Sequence, residues 1–468
     1  MTRKIQMFQF SDIPGQPIVV CGDFESSAGE ERNQGTHFLA QRDCIQSGFR
    51  SDLQSLEFRN SSHQSWHELL EIGSGREHVK FLALLGGSAV IAALVSTQTI
   101  NSNPQVGLTE SRDSSCVSER FEAAGGGDAS SSASKLTKLV QSLPEWLTET
   151  QVPATSVAYI EDGQVQWTVV CGQMNESEPA TLETRFNTAS IAKPMVAEIA
   201  LRLFSHGELS LDEPMSSHWV DPDLAGSQYL DRLTPRIALS HQTGFPNWRR
   251  MTDDKLEFRW EPGSQTGYSG EGIRYVTHYI EAKFNKPFET VARNMLFRPS
   301  GMNDASFVAD TSIQDDIAWG RTNDGEWSEP FFNEEPLGAG DVWITSADYA
   351  RFLSAVMQDA RSQSNQAKER KSINRDEVTQ WCGEGKTPLE NCPARMGFGI
   401  GWYVYEYGDE TVFAHNGSNF VDKSLAIFVP ETQTGFVAFA NGENGKATIS
   451  KVARALYDNE GYYALEGY

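Results

Sequence analysis

The sequence lacks the marks of several protein classes. Six cysteines in 468 residues are too few for a disulfide scaffold, and none forms a Cys-x-x-Cys pair. The nine histidines show no His-Glu-x-x-His or comparable ligand spacing, so no metal site is expected. His63 and His67 stand at i, i+4, but in a segment with little else to support a site. Positive charge is scarce: 39 Lys and Arg against 63 Asp and Glu leave −24, and no basic block stands out. Such a surface repels phosphate backbones and anionic lipid headgroups, which argues against nucleic acid as a partner. Nineteen prolines and 39 glycines are ordinary numbers, so collagen-like, mucin-like and wholly disordered readings fall away. What remains is a globular chain long enough for two or three domain-sized units.

One apolar run is unlike the rest. Residues 81–95 read FLALLGGSAVIAALV, uncharged and preceded by Arg76, His78 and Lys80. As a helix they would span about 22 Å, short of the roughly 30 Å hydrocarbon core. Length and basic flank fit a secretion signal, or an uncleaved anchor if the run extends through 100. The expectation is therefore an exported protein, periplasmic or extracellular, with membrane attachment through 81–100 as the alternative to cleavage. Because signals begin chains, translation is expected to start near Val79, leaving 1–78 as an N-terminal extension of doubtful origin. Residues 79–97 are the signal or anchor. Residues 98–135 end in Ala-Ala-Gly-Gly-Gly-Asp-Ala-Ser-Ser-Ser-Ala-Ser and read as a flexible linker.

The main domain is expected over 136–468. Leu136, Leu139, Val140, Leu143 and Leu147 follow helical spacing. Two β-rich runs, 155–160 and 165–170, flank Glu161-Asp162-Gly163, a hairpin signal. Three further β-rich runs, 411–415, 424–429 and 434–440, precede a helix over 447–457. Strands at both ends around a helical, loop-rich middle predict an α+β fold, with one sheet built from the two termini. Cys382 and Cys392 bracket a loop that a disulfide would close if the chain is exported.

The strongest chemical signal is Phe186-Asn187-Thr188-Ala189-Ser190-Ile191-Ala192-Lys193-Pro194, ahead of an apolar helical run. A helix starting near Ala189 puts Ser190 at its positive end and Lys193 one turn on, on the same face. A serine hydroxyl needs a base, and a lysine in a dry site can be neutral enough to serve. Pro194 is tolerated because first-turn amides have no intrahelical partner. Alone, Ser-x-x-Lys arises often by chance. Further on come Gly267-Tyr268-Ser269-Gly270 and a strand running into His415-Asn416-Gly417-Ser418.

Serine-lysine, then tyrosine, then a strand bearing a basic residue-x-Gly is the order in penicillin-recognising serine hydrolases. The chain resembles the class C β-lactamase-like family, which includes D,D-peptidases, D-aminopeptidases and carboxylesterases. Leu239-Ser240-His241-Gln242-Thr243-Gly244, Arg298-Pro299-Ser300-Gly301-Met302, Gly338-Ala339-Gly340-Asp341-Val342-Trp343 and Gly397-Phe398-Gly399-Ile400-Gly401-Trp402 extend the likeness over about 136–465. It implies a β-lactamase/transpeptidase-like fold, an antiparallel sheet flanked by helices beside a helical lobe, with Ser190 at their junction. By the same resemblance Ser190 is the nucleophile that forms an acyl-enzyme. Lys193 helps to deprotonate it, and Tyr268 passes a proton to the leaving group. The amides of Ser190 and Ser418 form the oxyanion hole. His415, in the His415-x-Gly417 position where many relatives carry lysine, supplies a hydrogen-bond donor or a positive charge near a substrate carboxylate. No metal or organic cofactor is implied, and the partner is a small-molecule or peptide substrate.

Two departures matter. Tyr-x-Asn reads Tyr268-Ser269-Gly270 here, and Lys-Thr-Gly reads His415-Asn416-Gly417. Both weaken the case for efficient β-lactam hydrolysis and tilt the reading towards small esters or peptides. A weak β-lactamase, or an idle module that binds cell-wall peptides, are the alternatives. Lys386-Thr387 is a decoy, because Pro388 follows and no β-rich run surrounds it. His241 is expected to be structural, and Trp260, Trp343, Trp402, Tyr403 and Tyr405 either line a cleft or fill core.

Overall fold

The structure, a computed structural model, describes residues 116–121, 129–309, 312–333 and 335–467, with six strands ahead of them. The chain divides into two units, Met1–Pro104 and Gln105–Tyr468. In the first, Met7–Gln9, Ile18–Gly22 and Asp43–Ser47 form one three-stranded antiparallel sheet. His67–Gly73, His78–Gly86 and Ala89–Val95 form another. The apolar run read as a signal or anchor is thus two paired strands. Among the described residues no helix is long and apolar enough to cross a membrane. His63 lies outside the described residues.

The second unit is built on one eight-stranded antiparallel sheet. Its strands are β1 (Cys116–Arg120), β2 (Ala154–Glu161), β3 (Gln164–Gly172), β6 (Arg395–Phe398), β7 (Tyr403–Tyr407), β8 (Glu410–Ser418), β9 (Lys423–Val429) and β10 (Thr434–Ala440). Their order is β6-β7-β8-β9-β10-β2-β3-β1. The sheet is indeed assembled from both ends of the domain: Gly435 pairs with Ile160 and Ala440 with Thr155. The β2–β3 hairpin turns at Asp162 and Gly163, both at positive φ (54° and 70°), as a two-residue turn of this hand requires. The numbers β4 (Phe186–Asn187) and β5 (Trp343–Ile344) belong to a separate pair inside the helical lobe.

Both faces of the sheet are covered, which is why β2 is buried along nearly its whole length. One face carries α1 (Ala129–Thr150), α6 (Gly445–Leu456) and α7 (Glu460–Glu466). Leu136, Leu139, Leu143 and Leu147 of α1 and Ile449, Val452 and Leu456 of α6 meet Val157 and Tyr159 of β2 there. The other face packs against the lobe built from α2 (Ala192–Ser205), α3 (Gly270–Phe284) and α4 (Ser346–Ala360), with α5 (Asn365–Lys371) against α2 and α4. Leu139 and Leu143 are fully buried, each worth about 2 kcal/mol of apolar transfer.

The linker expected through 135 gives way in two places. β1 joins the sheet edge through pairing with β3, and Cys116 is bonded to Cys171 across that pair. The helix starts at Ala129 because the small Ala and Ser residues, though linker-like in composition, tolerate helix and lead into the leucine stripe. Cys382 and Cys392 form a second disulfide, closing the loop noted in the sequence.

Candidate active site

Ser190 sits where the sheet meets the lobe. Asn187 and Thr188 hold the turn ahead of it: Asn187 Oδ1 accepts from Ala189 N (2.7 Å), and Thr188 Oγ1 accepts from Val342 N (3.1 Å). Ser424 Oγ on β9 donates to Thr188 O at 2.6 Å. These bonds force Ala189 to φ 46°, a left-handed conformation costing a residue with a Cβ about 1–2 kcal/mol. The reward is a reversal that delivers Ser190 within a 3-10 turn, Ala189–Ile191, directly ahead of α2. Pro194 falls in the first turn of α2, where no intrahelical bond is lost.

Lys193 lies one turn beyond Ser190, and its Nζ is 2.9 Å from Ser190 Oγ. It also donates to Ala339 O, and the side chain is completely buried. The rings of Tyr268 and Trp248 stand 5.0 Å and 5.9 Å from Nζ. Burial penalises the ammonium and draws its pKa down to about 7, against the opposing charge of Asp341. Asp341 is itself held by Asn187 Nδ2 (2.8 Å) and Asn333 Nδ2 (2.7 Å), and burial lifts its carboxyl above the usual range.

Tyr268 closes the triangle. Burial raises its phenol well above 10, against the opposing influence of the Ser190 hydroxyl, so it keeps its proton at neutral pH. Its ring lies 4.4 Å from that of His241 and 6.0 Å from that of Phe398. His241 accepts from Ser269 N through Nδ1 (3.1 Å), pinning the turn that carries Tyr268. Ser269 caps α3, accepting from Gly272 N at 3.0 Å. Gly270, the third residue of the Tyr268-Ser269-Gly270 motif, lies under Trp248: a Cβ there would be 2.8 Å from the indole. Its N–H is bonded to Asn247 Oδ1 (2.8 Å).

β8 passes the nucleophile closely. A Cβ at Gly417 would meet Ser424 Oγ at 2.1 Å, Thr188 O at 2.5 Å and Ser190 N at 3.0 Å, so only glycine fits. Ser418 follows, paired in register with Lys423 at the exposed end of the strand. His415 is 5% exposed, its ring 6.0 Å from that of Tyr268. The expectation that it supplies positive charge needs correcting. Burial and the Lys193 charge take its pKa down to about 3, so the ring is neutral. Nδ1 faces Asn416 O at 2.7 Å and carries the proton, which leaves Nε2 as a buried acceptor without a partner.

Of the aromatic candidates, Trp343 and Trp402 are core, while Tyr403 and Tyr405 line a cavity of about 380 Å³ beside Tyr268 and His415. Lys386 sits in the disulfide-closed loop, its Nζ donating to Thr379 O (2.9 Å). Asn187 and Asp341 stand inside sequence motifs that carry no role for them. Glu377 and Glu466 on the cavity wall lie in no motif, and no spacing in the sequence links them to Ser190.

Serine, buried lysine and tyrosine where a single helix-covered antiparallel sheet meets a helical lobe define the penicillin-recognising hydrolase class of fold. The family model described as Beta-lactamase matches residues 119–458, and the chain belongs to that family. It is 22% identical over 334 residues to penicillin-binding protein 4 of Amycolatopsis lactamdurans, covering 66% of this chain and 86% of that protein. Esterase EstB of Burkholderia gladioli is 29% identical over 164 residues, 28% of this chain and 40% of the esterase. Among solved structures, the D-alanine carboxypeptidase AmpC of Burkholderia cenocepacia shares the fold with a TM-score of 0.57 at 20% identity. That alignment covers 69% of this chain and 98% of that one. The octameric penicillin-binding protein homologue of Pyrococcus abyssi follows, with a TM-score of 0.54 at 20% identity over 68% of this chain and 77% of that one.

Proposed function

We propose that the chain hydrolyses an ester or amide through an acyl-enzyme on Ser190. The observation that carries this is the 2.9 Å contact between Ser190 Oγ and a buried lysine whose pKa lies near 7. Neutral Lys193 keeps an N–H for Ala339 O and offers its lone pair to the serine hydroxyl. Oγ attacks the acyl carbon as its proton passes to Nζ, and the departing alkoxide or amine takes a proton from the Tyr268 hydroxyl. Water then attacks the acyl ester with the proton flow reversed. Because Tyr268 holds its proton at neutral pH while a large share of Lys193 has lost its own, the lysine is the base of the first step. The Ser190 and Ser418 amides receive the developing oxyanion, an arrangement worth about 10²–10³ in rate per donor.

Esters and D-amino-acid amides are favoured over β-lactams. Gly270 offers no side-chain amide, and neutral His415 offers no charge to a carboxylate. The paired cysteines support a site of action outside the cytoplasm. The test is hydrolysis of p-nitrophenyl butyrate, D-alanine p-nitroanilide and nitrocefin by wild type and Ser190→Ala. Turnover of the ester or anilide, lost in the variant, supports the reading. No turnover by a folded wild type, with cell-wall peptide still bound, would favour the idle binding module.

A further inference from the structure

The cavity beside the triad has a chemistry of its own. Its wall comes from separate parts of the chain: Glu377 and Trp381 ahead of the Cys382–Cys392 loop, Tyr403 and Tyr405 on β7, and Glu466 on α7. Tyr403 donates to Glu377 Oε2 at 2.7 Å, and Tyr405 donates to Glu466 Oε1. Asn416 Nδ2 reaches Glu466 Oε2 at 3.4 Å. Burial lifts the Glu466 carboxyl above its usual range, against its bond to Tyr405 and the charge of Lys446, which bonds the main-chain O of Glu466 (3.2 Å) from outside the cavity. No lysine or arginine is among the described residues that line the space.

A second observation is independent of the carboxylates. His415 lines the same cavity, is 5% exposed, and presents Nε2 without any hydrogen-bond partner. With Nδ1–H donated to Asn416 O, that nitrogen can only accept. Leaving a buried acceptor unpaired is costly, and a ligand N–H would recover that cost. Two carboxylates, a ring of aromatic faces and a lone pair all reject an anion and suit a cation that carries N–H groups.

We propose that this cavity receives a protonated amine carried on the leaving portion of the substrate, its N–H donating to His415 Nε2 and its charge held by Glu377, Glu466 and the faces of Trp381, Tyr403 and Tyr405. The leaving side follows from Tyr268, which lines the cavity and hands its proton to the departing group, so the assignment rests on the hydrolase reading above. It makes the natural substrate an amino-alcohol ester or an amide of a diamine or basic amino acid, rather than a compound with a carboxylate at this place.

The test is calorimetric titration of the full chain carrying Ser190→Ala with benzylammonium, benzyl alcohol and benzoate at pH 7. These probes share one ring and differ in charge, and the variant separates binding from turnover. Benzylammonium is expected to bind at least about ten-fold more tightly than benzyl alcohol, with benzoate weakest. In Glu377→Gln/Glu466→Gln the preference should fall below about three-fold. Because Glu466 is knit into α7, Trp381→Ala on a half-exposed side chain gives a second reading, with benzylammonium weakened several-fold. Benzoate binding as tightly as benzylammonium, no binding of any probe at millimolar concentration, or a preference untouched by both variants overturns the assignment. A wild type that acylates Ser190 but shows no ammonium preference sinks the cavity assignment alone. An ammonium preference in a chain that never acylates sinks the hydrolase reading alone.

Discussion

Raising the pH through neutrality should switch Ser190 on by removing the proton from Lys193. With the pKa near 7, about half of the Lys193 side chains are neutral at pH 7, against roughly one in 3,000 for a free lysine. Second-order rates for p-nitrophenyl butyrate should therefore climb about ten-fold per pH unit between pH 4.5 and 6, then level off above about 7.5. The same burial fixes a stability trend. The unfolded chain returns Lys193 to its ordinary value of 10.5, so between about pH 7 and 10.5 it binds the extra proton and stability rises with pH. Below pH 7 both states are protonated and the cost of burying the charge is complete, of order 5 kcal/mol at about 1.4 kcal/mol per pH unit. Lys193→Met should consequently be inactive yet more heat-stable than wild type at pH 6, with the difference vanishing towards pH 10. Lys193→Arg, which stays charged, should lose at least about 10³-fold in rate. Stopped-flow acylation across pH and thermal unfolding by circular dichroism give both readouts. A flat rate profile from pH 5 to 8 in an active enzyme, or a Lys193→Met variant less stable at pH 6, would refute the reasoning.

Three further outcomes are expected. Glu198 on α2 is paired in the interior with Arg370, which also meets Asp359 at 2.8 Å; both side chains are essentially unexposed. Arg370→Met strands the Glu198 carboxylate and should cost about 3–5 kcal/mol in urea unfolding, most of it recovered in Glu198→Leu/Arg370→Met. Gly270→Asn, made to restore the missing amide, should lower ester turnover about ten-fold or more without creating nitrocefin hydrolysis, because its side chain meets the Trp248 indole. Cys382→Ser/Cys392→Ser opens the loop that follows Trp381. About 3 kcal/mol of loop-closure stabilisation goes, and hydrogen exchange over 377–392 should quicken.

The sheet and the triad were readable because each rests on local pattern. Helical leucine spacing, an Asp-Gly turn and β-rich runs at both ends specify α1, the β2–β3 hairpin and β8 to β10. Ser190 and Lys193 are three residues apart, so the 3-10 turn running into α2 keeps them on one face. Tyr268 became visible only through the order of motifs. What stayed hidden depends on contacts distant in sequence. β1 is five residues long and is fixed by pairing with β3 and by a disulfide 55 residues away. Glu377 and Glu466 reach one cavity only after β7 and α7 are placed. His415 was readable as a residue but not as a protonation state, since its neutrality comes from burial and from Lys193.

The most direct test of an activated serine is intact mass after incubation with a fluorophosphonate or an active p-nitrophenyl ester, wild type beside Ser190→Ala. A single covalent adduct on the wild type, mapped to the Ser190 peptide and absent from the variant, is the expected result. A folded, monodisperse wild type that takes up neither reagent, or an adduct that persists in Ser190→Ala, would contradict it.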